Sequence, residues 1–174
     1  MSLRSLLNDL AHERDAFLEA LAALPPDART ASPSADTWSP LEIGEHVFKA
    51  ERSMLTGLER QLERGDARKD LGGPSRAKAT ALLMAMRSPQ RFQAPTTVPD
   101  LALQGMPYEE LRTQWTALAP RWEAAASIPE DLATVGLVRH PYAGPLTAKD
   151  ALRFLVAHTA RHSRQLNRTV RAAA

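Results

Sequence analysis

Residues 147–166 read TAKDALRFLVAHTARHSRQL, and the spacing of side chains in this stretch decides the fold class. Leu152, Leu155, Val156, Thr159, His162 and Leu166 recur at intervals of three and four. That is the period of an α-helix with one face turned inward, not the alternation of a half-buried strand. Thr147 and Asp150 stand three apart at its head, a capping pattern that satisfies free amides of a first turn. The spacing predicts a helix from Thr147 toward Val170.

The same period recurs upstream. Leu3, Leu6, Leu10, Phe17, Leu21 and Leu24 form an apolar row interrupted by Glu13, Arg14 and Asp15, so a first helix is expected to end near Pro25. Pro25 to Thr37 is rich in Pro, Ser, Asp and Ala and is expected to be a loop. Ser39, Pro40, Leu41 and Glu42 then combine an N-cap, a first-turn proline and a capping-box glutamate. The helix they open carries Ile43, Val47, Ala50, Met54 and Leu58 inward and is expected to stop at Gly65, where glycine allows a left-handed residue. Gly65 to Pro74 is expected to be a connection, and Ser75 to Arg87 a shorter helix. The run SPQRFQAPTTVPDLALQGMP, with Pro89, Pro95, Pro99 and Pro107, is expected to be a long irregular crossing, because proline lacks an amide donor and restricts its predecessor. A further helix is expected from Pro107 to Ala126 on the spacing of Leu111, Trp115, Leu118, Trp122 and Ala125, kinked at Pro120. No strand-forming alternation is found. Four long amphipathic helices must bury their stripes against one another, which predicts an all-α four-helix bundle with one short extra helix, as a single domain over 1–174.

Composition excludes several function classes. With 22 Lys and Arg against 20 Asp and Glu the formal charge is +2, too balanced for a nucleic-acid surface. Cysteine is absent, so disulfides, thiolate ligands and thiol nucleophiles are ruled out and histidines and carboxylates remain. The N-terminal stretch MSLRSLLNDLAHERDAF is broken by charges before any apolar run of signal-peptide length, and no stretch is apolar enough to span a bilayer. A cytoplasmic location without membrane association is expected.

His158 and His162 are four residues apart, so their rings stack on one helix face, and Leu155 and Leu166 mark that face as the inward one. His46 lies in the apolar row of the second long helix, between Ile43 and Ala50. Imidazoles bind transition metals at about 2.0–2.1 Å, and three of them leave coordination positions for water or substrate. Spacing alone leaves a metal site and a set of satisfied polar side chains both open.

Two longer stretches carry a family resemblance. TWSPLEIGEHVFKAERSML (37–55) resembles the second helix of DinB/YfiT-like proteins, in which a Trp and a short polar turn precede a helix bearing a ligand histidine. HPYAGPLTAKDALRFLVAHTARHSRQLNR (140–168) resembles that family's last segment, a turn followed by a helix with HxxxHxxQ, and SPQRFQAPTTVP (88–99) is similar to the linker of its DinB_2 branch. The resemblance implies a helical bundle, commonly a homodimer, whose His46, His158 and His162 hold a divalent metal ion, zinc or nickel foremost. It also implies a metal-dependent transferase acting on a small-molecule substrate with a low-molecular-weight thiol. The alternatives are a metal-dependent hydrolase and a non-catalytic metal- or ligand-binding bundle of a stress response.

Gln165, one turn beyond His162, is a candidate donor to a bound water or substrate. Glu45 and Glu51 flank the His46 turn as candidate bases, or else pair with a neighbouring Lys or Arg, and hydrolysis needs one of them at the ion. Trp38 is expected to pack at the bundle end, His140 to begin a turn without ligating, and His12 to be exposed. The aromatic helix Pro107–Ala126 could serve a dimer interface as readily as the core.

Overall fold

The computed structural model describes residues 1–65, 71–88, 101–125, 127–128 and 135–173. The first helix, α1 (Leu3–Ala22), opens with the Ser2 hydroxyl accepting the Ser5 amide. A five-residue helix follows, α2 (Pro26–Thr30), inside the stretch expected to be a loop. Pro26 suits its first turn, and Arg29 reaches back to donate to the carbonyls of Leu21 and Ala22, whose i+4 residues, Pro25 and Pro26, have no amide to offer. Next, α3 (Pro40–Arg64) starts in a complete capping box. The Ser39 hydroxyl accepts the Glu42 amide at 3.3 Å, and the Glu42 carboxylate accepts the Ser39 amide at 2.7 Å. Gly65 ends the helix at φ 59°, the left-handed conformation expected there.

After α4 (Gly73–Arg87), the expected helix Pro107–Ala126 is two pieces, α5 (Tyr108–Thr116) and α6 (Leu118–Ala125). The break lies at Ala117 and not at Pro120, because Pro120 has no amide to offer the Thr116 carbonyl four residues earlier. Its own position in the first turn of α6 is tolerated. A short antiparallel hairpin, β1 (Val138–His140) with β2 (Gly144–Leu146), precedes the last helix. The sequence predicts no strand here, since three-residue strands are too short to show an alternation. Gly144 takes φ 76° to close the hairpin, and Pro145 fits a two-stranded edge. The last helix is α7 (Ala148–Ala173), where Thr147 accepts the Asp150 amide and donates to the Asp150 carboxylate.

The bundle consists of α1, α3, the broken α5–α6 and α7, with α4 packed on α7 as the extra helix. The inward rows are those read from the sequence: Leu6, Leu10, Phe17 and Leu21 meet Ile43, Val47, Met54 and Leu58, and Leu152, Leu155 and Leu166 come from α7. The aromatic stripe of α5 and α6 is consumed in this core: Trp115 and Trp122 are 0% and 3% exposed, which removes them as a dimer surface. At Gly44 the helices approach so closely that a Cβ would sit 3.0 Å from both Leu111 and Leu21. Of the expected connections, 66–70 and 89–100 lie outside the described residues. Among the described residues, no helix is long and apolar enough to cross a membrane.

Candidate metal centre

The packing of α3 against α7 brings His46 to the pair His158 and His162. One ring nitrogen from each lies within 4.8 Å of the others. Ring centroids are 5.2 Å apart for His46 and His158, 4.9 Å for His46 and His162, and 4.5 Å for His158 and His162. Nε2 of His46 and Nε2 of His158 are separated by 3.3 Å. Two nitrogens bound tetrahedrally at 2.0–2.1 Å would be about 3.3 Å apart, so this pair already spans one edge of such a site.

The electrostatics keep the rings in the ligating form. Burial pushes His46 down to about 4. Burial, and then the neighbouring His46, bring His162 to about 3, although its bond to Gln165 acts the other way. His158, the most enclosed, is held well below 6.5 by burial first and by His162 and His46 next. Near neutral pH all are uncharged, and a neutral imidazole keeps one lone pair. Two buried lone-pair donors and a half-buried third, with no acid in the group among the described residues, fit a shared cation.

Each ring is held differently. Gln165 Oε1 lies 2.8 Å from Nδ1 of His162; with the proton on Nδ1, the amide oxygen accepts it and frees Nε2 to ligate. Phe154 stacks on His158 at 5.1 Å and 27°, fixing it by packing, while Nδ1 of His158 has no hydrogen-bond partner among the described residues. The Trp38 ring, half-buried just before α3, stands 4.9 Å from His46 and walls that side. His162 and Gln165 are only half-buried, so the centre reaches the surface along their side.

A model of the DinB superfamily, type DinB_2, matches residues 9–166. The chain belongs to the DinB superfamily. No curated protein and no solved structure matches it.

In this DinB chain the two glutamates once open as bases have other partners. Glu45, 1% exposed, lies 2.7 Å from Nζ of Lys49 and accepts the amides of Gln104, Gly105 and Met106 at 2.7–3.1 Å. Burial pushes its pKa up, but Lys49 and these amides prevail and leave it below the ordinary carboxylate value. Lys49 also donates to the Ala102 carbonyl, so the Glu45–Lys49 pair pins the segment before α5 onto α3. Glu51 is fully buried and accepts the indole N–H of Trp115 at 2.6 Å and of Trp122 at 2.9 Å, together with Arg14 at 3.2 Å. Burial raises its pKa, with the indoles and Arg14 offsetting part of the effect. These are the pairings with a neighbouring Lys or Arg that the sequence offers as the alternative to a catalytic role.

His140 lies outside the cluster. Its Nδ1 accepts the amides of Tyr142 and Ala143 and so caps the hairpin turn, and its ring meets the edge of Phe154 at 4.7 Å. His12 is exposed. The sequence reading missed Phe154, which periodicity marked only as apolar, and Lys49, whose spacing four residues after Glu45 was the available signal.

Proposed function

We propose that this DinB protein is a metal-dependent transferase that activates a low-molecular-weight thiol for attack on an electrophilic small molecule. The observation that carries the reading is the donor set: three neutral imidazoles at a half-exposed edge, with no anionic side chain in the group among the described residues. A divalent ion there, zinc or nickel, keeps its full charge and lowers the pKa of a thiol or water that reaches it. His46, His158 and His162 hold the ion. Gln165 sets the tautomer of His162, and Trp38 and Phe154 exclude water from the far side of the rings. In this reading Glu45 and Glu51 brace the bundle.

Hydrolysis through an activated water requires a base beside the ion. Both oxygens of Glu45 and of Glu51 are already taken by cations, indoles and backbone amides, so hydrolysis has the weaker support. The test is conjugation of monobromobimane or a chlorodinitrobenzene with several thiols by zinc- or nickel-loaded protein. A rate well above that of metal-free protein is expected. No acceleration across the thiols, with metal bound, overturns the proposal.

A further inference from the structure

Beside its ligand face, α7 carries a second stripe. Arg161, Gln165 and Arg168 are spaced four and three residues apart, so they are surface neighbours with Cβ atoms about 5–6 Å from one to the next. Gln165 is the hydrogen-bond partner of His162, which puts the stripe along the less buried side of the centre. Arg161 is a strut: it donates to the Ser88 carbonyl at 2.7 Å and to Ala85 at 3.4 Å, tying the end of α4 to this edge.

Arg168 and Arg164 are different. Both are exposed, and among the described residues neither guanidinium forms a hydrogen bond or ion pair. Like charges crowd here: Arg161 is lowered by burial and by Arg164 and Arg168, and His162 feels both Arg161 and Arg168. The helix dipole does not explain them, since it favours cations in the last turn and α7 runs on to Ala173. Nor do the acids nearest His46 in sequence compensate them, because Glu45 is paired with Lys49 and Glu51 with Arg14.

We propose that Arg168 recognises the carboxylate of a small anionic substrate whose thiol reaches the three-histidine centre. This rests on the thiol reading above and narrows it to mercaptocarboxylates. Arg168 determines specificity: its guanidinium forms charge-assisted hydrogen bonds to the carboxylate while the sulfur end approaches the centre along its half-buried His162 side.

The experiment uses cobalt-loaded protein titrated with 3-mercaptopropionate and with 2-mercaptoethanol, read by the sulfur-to-cobalt charge-transfer band. Wild type is expected to bind the carboxylate thiol about tenfold more tightly, the scale of one charge-assisted hydrogen bond. Arg168→Gln should bring the ratio of the two affinities near one without weakening 2-mercaptoethanol, and Arg168→Lys should keep part of it. Because the ratio is compared between variants, the difference in intrinsic thiol acidity cancels. An unchanged ratio in Arg168→Gln overturns the proposal. If cobalt binds but neither thiol gives the band, the thiol reading fails separately. Arg168 is then judged by calorimetry with succinate against succinamide: a succinate preference lost in Arg168→Gln upholds anion recognition, and equal binding or none refutes it.

Discussion

Replacing Glu45 by Gln separates a brace from a base. The carboxylate accepts three backbone amides and faces Lys49, itself 2% exposed, at 2.7 Å. A glutamine has one accepting oxygen, so its NH2 group must confront either the amides of Gly105 and Met106 or the pair Gln104 and Lys49. At least one buried donor is orphaned, at about 1–3 kcal/mol each, and Lys49 loses its counter-charge. Breaking a buried ion pair from one side typically costs about 3–5 kcal/mol, and the two effects overlap, so we expect a loss of about 3–5 kcal/mol for Glu45→Gln. Urea unfolding at neutral pH measures it. The Glu45→Gln/Lys49→Met double variant should recover part of the loss, because no lone charge is left buried. Metal content of the folded Glu45→Gln protein should match wild type. A loss below about 0.5 kcal/mol, the range of an uninvolved surface site, would refute the bracing role. So would a double variant no more stable than the single one.

Gln165→Leu removes the acceptor that orients His162 while leaving all three histidines; metal affinity should fall about 10–100-fold, read by chelator competition. Metal-free protein should lose stability in acid. Below 6.5 the unfolded histidines take up protons that folded His46, held at about 4, and His162, at about 3, refuse, so stability present above pH 6.5 drains away as pH falls toward those values. Glu45, depressed below 4.5, adds to the loss at the lower end. A urea midpoint for the metal-free protein that is the same at about pH 5 and about pH 7.5 would contradict the direction given for the histidines.

The parts of this fold that the sequence made legible are those specified by local chemistry. Ser39 and Glu42 announce a helix start because the capping box needs only residues three apart, and Gly65 ends it because few other residues accept a positive φ. His46, His158 and His162 could be placed inward because each sits within an apolar row whose direction periodicity fixes. What could not be read depends on partners distant in the chain. The Glu45 carboxylate is claimed by amides some 60 residues away, and Glu51 by indoles of α5 and α6 that read simply as apolar positions. The hairpin ending in Leu146 escaped because its strands are shorter than the alternation that would reveal them, and α2 because five residues opening on the second of two prolines resemble a turn.

The most direct test of the centre is metal analysis of untagged protein, wild type against His158→Ala, after incubation with zinc or nickel and removal of excess ion. His158 contributes the Nε2 that stands 3.3 Å from that of His46, so its loss leaves a split pair. About one ion per chain is expected for wild type and close to none for the variant, with both proteins helical by circular dichroism. Equal metal content in the two, or none in either, would contradict a shared three-histidine site.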